Sequence, residues 1–338
     1  MSATRTLLDL TAMTTARDLQ FKSVNYTGLA KGPRLIVTGA VHGNETCGTK
    51  AILRVMEEID SGALIVKAGS VTFVPVTNPL AYRLGQRSGE RNLNRNLFPN
   101  AQPQDFEDQV ANWLCPLLAQ HDVLLDLHSF NAQSQPFCMV GPRNNEGSLQ
   151  PFTHAEQERA LARRLGVARF VDGWMATYGQ GVQRRLKGSP ACELETVLRY
   201  GVGTTEFMRS TGGYALTLEC GQHDDPAAPE VGYRAIMNTL AFLKLIEAPE
   251  PAAIAHENME YLSMDAVHDR LDADDQFARV WASFDSVAKG DLIGKRADGT
   301  SVVAEYDGKI LFPDVNAKPN NEWFYMTRSG GDFERYTD

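Results

Sequence analysis

Short apolar runs alternate with segments of helical periodicity along residues 34–246, and this alternation constrains the fold more than any other feature. Each run is typical of a buried strand, because it is too short for a helix and its polar residues do not alternate. Strands alternating with helices predict an α/β domain with a mainly parallel or mixed sheet flanked by helices. The predicted strands are 34–40, 71–77, 123–128 and 214–220, and the predicted helices are 45–60, 105–119, 154–165 and 229–246.

The texture of the sequence changes at Glu247, where EAPEPAAIAH is typical of a linker. Short strand-like runs punctuated by turn residues follow it, which predicts a small C-terminal β domain. We therefore expect a catalytic domain over 1–247 and a β domain over 257–338. Residues 177–213 are rich in glycine and poorly periodic, which predicts a functional loop, and whether the wider segment 174–212 acts as a lid stays open.

Composition and charge exclude several classes of protein. The net charge of −9 argues against a nucleic-acid partner, since such proteins usually carry a basic face. No apolar run approaches the ~18 residues of a membrane span, and the N-terminal residues do not resemble a signal peptide. The five cysteines form no C-x-x-C pair, so we expect free thiols and a reducing cytoplasm. The sequence leaves open whether the chain forms a homo-oligomer.

Three metal-ligand side chains follow or end predicted strands. His42 comes just after the first strand, Glu45 opens the next helix, and His128 ends the strand 123–128. The carboxyl ends of parallel strands share one edge of a sheet, where ligand sites gather. Gly43 can adopt a positive φ, so the chain can turn sharply here and bring the imidazole and the carboxylate together. Two histidines and one glutamate, with a position left for water, are typical of a catalytic zinc site.

Asp126 lies two residues before His128 on the same predicted strand face. We expect its carboxylate to orient a metal ligand from behind. The alternatives are a solvated carboxylate for Asp126 and ordinary structural hydrogen bonding for each histidine. Among the remaining histidines, only His223 is close enough in sequence to Glu219 to be considered as a further participant.

Glu219 ends the apolar strand YALTLEC, where packing explains an acid poorly. A general base at the carboxyl edge of the sheet explains it well, because hydrolysis needs a group that carries a proton to the leaving nitrogen. Glu193 and Glu195 are rivals, but they lie in the irregular segment and favour solvent exposure.

A cluster of arginine and asparagine occupies 87–98, which reads RSGERNLNRNLF. On a helix the spacing of Arg87, Arg91 and Arg95 would give a solvated basic face. In a loop it would supply forked donors for a carboxylate or a developing oxyanion. A local arginine cluster in an acidic protein favours a small anionic substrate.

Four motifs together resemble the succinylglutamate desuccinylase/aspartoacylase family, within the zinc carboxypeptidase superfamily. They are GAVHGNET (39–46), NLNR (92–95), DLHS (126–129) and TLECG (217–221), in the order of the family and over most of 34–245. The resemblance implies zinc on His42, Glu45 and His128, Glu219 as general base and acid, and Arg87 polarising the scissile carbonyl. The residues that it assigns to substrate binding are Asn94, Arg95, Arg209 (by spacing alone) and Tyr325 (from the segment NEWFY).

Two departures from the family pattern concern the substrate more than the chemistry. The family usually has an acid where this chain has Asn92, and the segment 174–212 is longer than expected. The sequence thus predicts a zinc-dependent amide hydrolase that deacylates a small anionic N-acyl amino acid through a metal-activated water. The alternatives are a metallocarboxypeptidase acting on short peptides and a non-catalytic, zinc-loaded binding protein.

Overall fold

A computed structural model of the protein describes residues 19–147, 151–185 and 199–330. Within them, eleven strands form one mixed sheet in the order β1-β3-β2-β4-β7-β5-β6-β8-β14-β13-β10, and three form a second sheet in the order β12-β11-β9. The strands are β1 Val24–Thr27, β2 Ala30–Gly39, β3 Ala68–Val74, β4 Val123–Phe130, β5 Phe137–Met139, β6 Arg169–Asp172, β7 Tyr214–Gln222, β8 Glu260–Asp269, β9 Gln276–Phe277, β10 Ser286–Val287, β11 Leu292–Lys295, β12 Ser301–Val303, β13 Gly308–Leu311 and β14 Glu322–Ser329.

Helices cover both faces of the first half of this sheet. One apolar layer packs under α1 and α7, and the opposite layer packs under α3 and α6. The central strand β4 is buried at all eight positions, as expected for a parallel strand covered on both sides. The helices are α1 Cys47–Asp60, α2 Pro79–Leu84, α3 Phe106–Leu118, α4 Ala155–Ala162, α5 Trp174–Arg185, α6 Thr204–Ser210 and α7 Ala228–Phe242. The predicted fold class is confirmed, and no helix among the described residues has the length and apolarity needed to cross a bilayer.

Parallel pairing aligns the ends of the strands that carry the candidate site. Strand β2 pairs in parallel with β4, and β4 pairs in parallel with β7. In this register His128 lies directly opposite Glu219. The predicted meeting of these strand ends at one edge of the sheet therefore describes the observed geometry.

Four strands after residue 257 (β8, β10, β13 and β14) continue the main sheet. Strand β8 pairs in parallel with β6, and β14 pairs with β8. A separate aromatic cluster around Trp323 packs between this part of the sheet and the three-stranded sheet. The division into 1–247 and 257–338 stays a prediction, and the hydrogen bonds between β6 and β8 cross it.

One local prediction needs correction. The segment 177–213 was expected to be irregular, yet α5 and α6 occupy both ends of it. Glycine lowers helix propensity, but burial of one face of each helix outweighs this cost. Residues 186–198, which include Glu193 and Glu195, lie outside the described residues.

Candidate functional site

The turn after β2 brings His42 and Glu45 to the carboxyl edge of the sheet. In this turn Ala40 adopts a left-handed backbone conformation, with φ of 47°, whereas Gly43 does not have a positive φ. Gly43 is required for a different reason, because a Cβ atom there would lie 1.9 Å from the backbone carbon of Ala81. The turn therefore does not use the positive φ that glycine allows at this position, and close approach to helix α2 is what requires a glycine.

His42, Glu45 and His128 converge in a buried triad. Their candidate ligand atoms all lie within 4.8 Å of one another, and the three residues are 2%, 1% and 2% exposed. Nδ1 of His42 lies 2.9 Å from Oε1 of Glu45, and Nδ1 of His128 lies 2.8 Å from Oε2 of the same carboxylate. Both imidazoles thus point the same ring nitrogen at the centre of the site.

The other ring nitrogen of each histidine is held from behind. Nε2 of His128 lies 2.9 Å from Oδ2 of Asp126, and Nε2 of His42 lies 3.0 Å from Oδ1 of Asn92. Partners of this kind fix the tautomer and orientation of metal-ligating imidazoles. The structure places Asp126 where the sequence analysis expected it, whereas the role of Asn92 behind His42 was missed.

The two histidines differ in electrostatic environment. Burial, followed by the nearby guanidinium of Arg87, lowers the pKa of His42 to about 4. Burial acts in the same direction on His128, but the carboxylates of Asp126 and Glu45 hold its pKa well above the ordinary value. A neutral amide backs one imidazole and a carboxylate backs the other, so the histidine beside Asp126 is the more basic.

The donor set fits a divalent cation of the zinc type. Zinc prefers imidazole nitrogen and carboxylate oxygen, and catalytic zinc sites use three protein ligands. Here two Nδ1 atoms and one carboxylate face one another in a buried space, with both Nε2 atoms engaged by acceptors. His42, Glu45 and His128 are therefore the residues that would hold the metal.

Glu219 completes the polar centre from strand β7. Its side chain is 7% exposed, and among the described residues its Oε2 atom has no hydrogen-bond partner. Burial raises the pKa of Glu219 to about 8, with the carboxylate of Glu45 adding to the effect and His128 opposing it. A buried carboxyl group that is ready to exchange a proton near neutral pH suits a general acid and base.

Arg87 lies at the entrance to the triad. Its Nη1 atom donates to Oε1 of Glu45 at 3.0 Å and lies 3.2 Å from Nδ1 of His42. The side chain is 52% exposed, so it reaches from solvent into the buried centre. A cation in this position can approach a carbonyl oxygen bound beside the triad.

Asn94, Arg95 and Tyr325 gather on one side of the site. The Oδ1 atom of Asn94 accepts a hydrogen bond of 2.9 Å from the amide of Thr204. The guanidinium of Arg95 lies 4.5 Å above the ring of Trp174, which in turn lies 6.0 Å from the ring of Tyr325. Sequence reasoning missed Trp174, because it starts a helix just before the segment 177–213 that was expected to be irregular.

Arg209 is not part of this cluster. Its Nε atom donates to Oε2 of Glu158 at 2.8 Å, and its Nη2 atom donates to the carbonyl of Ala215 at 2.6 Å. The side chain is 3% exposed, so a buried acid already uses the charge that was expected to bind substrate. The assignment of Arg209 to substrate binding by spacing stays a prediction, and in this structure Glu158 and Ala215 engage its Nε and Nη2 atoms.

A second polar chain leads from the triad to His223. The amide of Ser129 donates to Oε2 of Glu45 at 3.1 Å, and its Oγ atom lies 2.8 Å from Nδ1 of His223. Nε2 of His223 lies 3.4 Å from Nδ2 of Asn44. His223, which the sequence brought into consideration through its closeness to Glu219, thus contacts the edge of the site, and its partner Ser129 was missed.

The fold and the triad define an α/β protein with a buried His–Glu–His candidate metal site at the carboxyl ends of parallel strands. Residues 31–163 match the family model for the succinylglutamate desuccinylase/aspartoacylase catalytic domain. The resemblance found in the sequence motifs is thereby confirmed, and this stretch of the chain is similar to the catalytic domain of the succinylglutamate desuccinylase/aspartoacylase family. No curated protein matches the chain by sequence.

Solved structures share the fold over nearly the whole chain. A succinylglutamate desuccinylase/aspartoacylase from Rhodobacter sphaeroides has 17% identity and a TM-score of 0.68, with 93% of this chain and 90% of that chain covered. The product-bound ectoine utilization protein EutE (DoeB) from Ruegeria pomeroyi has 18% identity and a TM-score of 0.66, with coverage of 90% and 88%. A succinylglutamate desuccinylase from Chromobacterium violaceum has 19% identity and a TM-score of 0.65, with coverage of 91% and 88%.

Proposed function

We propose that the chain is a zinc-dependent hydrolase that cleaves the amide bond of a small anionic N-acyl amino acid. The observation that carries the proposal is a buried carboxyl group, Glu219, in direct register with His128 of the triad. The family model that matches residues 31–163 describes hydrolases of N-acyl amino acids, which supports the reaction class.

The three ligands and Glu219 divide the chemistry between them. His42, Glu45 and His128 would hold zinc, which supplies a Lewis acid and lowers the pKa of water to ~7. Glu219 takes a proton from the attacking water on its carboxylate and then gives that proton to the leaving nitrogen. The burial that raises the pKa of Glu219 favours the protonated form needed for the second transfer.

Arginine side chains suit an anionic substrate. Arg87 reaches the triad from the entrance and would polarise the carbonyl oxygen of the scissile amide. Arg95 and Asn94 would bind a substrate carboxylate, with Tyr325 reaching the same cluster through Trp174. A fixed guanidinium recognises a carboxylate by two parallel hydrogen bonds, which gives both affinity and orientation.

The reducing cytoplasm stays our expectation for the working compartment. The four cysteines among the described residues are all free and buried. Buried thiols of this kind behave as small apolar side chains, and their packing does not depend on disulfide formation.

Amine release from a panel of substrates tests the reaction. The panel contains acetyl, formyl and succinyl derivatives of Asp, Glu and neutral amino acids, together with blocked dipeptides. Each is measured with the purified protein, after treatment with a chelator, and after zinc is added back. We expect release from one acyl amino acid that the chelator abolishes and zinc restores.

Three other results would contradict the proposal. Release from dipeptides alone would favour a carboxypeptidase. Release that is unaffected by the chelator would exclude the metal role of the triad. Bound zinc without release from any member of the panel would favour a binding protein. The assignment of Glu219 as a proton carrier would then lose its main support, since a binding site does not need one.

A further inference from the structure

The acceptors behind the two histidines are joined to each other by hydrogen bonds. Asn92 accepts from His42 and also from the amide of Asn94, at 2.9 Å. Asn94 accepts from the amide of Thr204 at 2.9 Å, and the hydroxyl of Thr204 donates to Oδ2 of Asp126. Asp126 holds His128, so the four residues Asn92, Asn94, Thr204 and Asp126 form one polar belt from one imidazole to the other.

Thr204 is the residue that closes this polar belt. Its side chain is completely buried, and it starts helix α6 in a part of the chain that contributes no triad residue. A threonine hydroxyl has one proton to donate. Oγ1 of Thr204 lies 3.4 Å from Oδ1 of Asn94 and closer to the carboxylate of Asp126, so the proton belongs to the charged acceptor.

Removing this hydroxyl would change Asp126 rather than the packing of helix α6. Oδ1 of Asp126 would keep its 2.6 Å hydrogen bond from Thr38, but Oδ2 would keep only His128. A buried carboxylate with fewer donors is freer to rotate, and the imidazole bonded to it loses its fixed orientation.

We propose that Thr204 is a positioning residue for the metal site, acting on His128 through Asp126 and on His42 through the amides of Asn94 and Asn92. The proposal rests on the proposed function in one respect, since it requires the triad to bind a divalent metal. It adds that the segment carrying helix α6 controls how tightly that metal is held.

Zinc affinity, measured by competition with a chromogenic chelator, tests the proposal without an activity assay. Thr204→Val keeps the shape of the side chain and removes the hydroxyl, and we expect about 10-fold weaker zinc binding, at the lower limit for outer partners of metal ligands. Thr204→Ser restores the hydroxyl and should restore affinity. In the cobalt(II) form, the absorption bands should shift in the valine variant and return in the serine variant.

Thr205→Val is the matched control in the next position of the same helix. Thr205 is also buried, but its hydroxyl donates to Glu206 rather than to the polar belt. Equal weakening by both valine variants would overturn the proposal, because the effect would then come from helix α6 as a whole. Wild-type affinity in Thr204→Val would overturn it directly.

Two further measurements keep the test decisive. The melting temperature of each metal-free variant separates loss of folding from loss of zinc. Should Thr204→Val not fold, Asn94→Ala breaks the polar belt at its other link, the bond from the Thr204 amide to Oδ1 of Asn94, from a half-buried position. Unchanged zinc affinity in that variant would contradict the proposal. Failure of the wild-type protein itself to bind zinc would instead overturn the proposed function.

Discussion

The two halves of the main sheet use burial in opposite ways. Around β2, β4 and β7, the structure buries ionisable side chains that face one another across the triad. Around β8, β13 and β14, it buries aromatic rings, with Trp323 stacked on Phe277 at 4.4 Å and Phe324 stacked on His268 at 4.5 Å. Buried charges cost stability unless they are fully paired, whereas aromatic burial adds to it. Under the proposed function, the first half of the sheet carries the reacting groups and the second half stabilises the fold.

The largest effect should follow Glu219→Gln, which keeps the shape and removes the exchangeable proton. We expect turnover to fall by about 10³-fold, the range for general acid and base groups. Zinc content should be unchanged, and stability should hold or rise, since Oε2 of Glu219 has no partner among the described residues. Steady-state kinetics and metal analysis make the measurement.

The control for this variant is Glu230→Gln. Glu230, in the first turn of helix α7, forms an exposed ion pair with Arg54, so kinetics should match the wild-type protein. Turnover in Glu219→Gln within a few-fold of wild type would show that another group carries the proton. The buried carboxyl group of the first half would then have no catalytic role to set it apart from the aromatic half.

The next effect in size should follow Trp323→Ala in the aromatic half. Trp323 is 1% exposed at the centre of the aromatic cluster, so its removal leaves a large cavity. We expect the free energy of unfolding to fall by about 4 kcal/mol, while zinc affinity stays at the wild-type value. Urea denaturation and chelator competition measure the two quantities.

Val280→Ala is the control in the same half. Val280 is 87% exposed, so its truncation should leave stability unchanged. Loss of zinc binding by folded Trp323→Ala would remove the distinction between the halves, because the aromatic cluster would then also shape the metal site.

Much of the first half was predictable from sequence because its signals are local. The apolar runs marked the strands that carry the triad, and Asp105, the first residue of the predicted helix 105–119, caps helix α3 by accepting from the amide of Asp108. Parallel pairing then predicted that His42 and His128 would meet. Short strands such as β5 and β6 gave no such signal, because three or four residues are too few to show a period.

The parts of the site that were missed depend on tertiary contacts. Asn92 was noted only as a departure from the family pattern, and nothing in the sequence shows that its Oδ1 atom holds His42. Thr204 follows a glycine-rich segment, and its link to Asp126 joins positions 78 residues apart. Arg209 had the expected spacing from Glu219, but spacing does not reveal the partner, Glu158.

A smaller loss of stability is expected for Arg209→Met, which sharpens the comparison within the first half. The variant leaves the carboxylate of Glu158 buried without its cation, although the amides of Ala215 and Gly141 still donate to it at 3.0 and 2.5 Å. Broken buried pairs cost several kcal/mol, and the two remaining backbone donors should hold the loss in the free energy of unfolding to about 3 kcal/mol. Thermal and urea unfolding measure it.

Arg328→Met is the control, because Arg328 pairs with Asp265 in solvent and should contribute at most about 1 kcal/mol. The KM of Arg209→Met should equal that of the wild-type protein. A large rise in KM with unchanged stability would show that Arg209 binds substrate. The buried ion pair of Arg209 and Glu158 would then belong to the site rather than to the structural core.

The smallest effect concerns His268, the partly buried histidine that stacks on Phe324. Burial lowers the pKa of His268 to about 4, and the groups that also act on it are Glu305, Arg184, Arg296 and Asp269. The folded protein therefore keeps His268 neutral at a pH where the unfolded chain, with an ordinary value of ~6.5, binds a proton. The unfolded state then binds more protons, so stability is complete above pH ~6.5 and is lost as the pH falls towards ~4.

His268→Phe should remove this part of the pH dependence. Relative to wild type, the variant should gain about 2 kcal/mol between pH ~7 and ~4.5, because phenylalanine cannot be protonated in the unfolded chain. Urea unfolding at both pH values measures the change, and His256→Phe, at an exposed position, controls for the loss of a histidine as such. Suppose instead that stability depends on pH in the same way in wild type and in His268→Phe. The folded protein would then tolerate a charged His268, and the two halves of the sheet would no longer differ in how they treat buried charge.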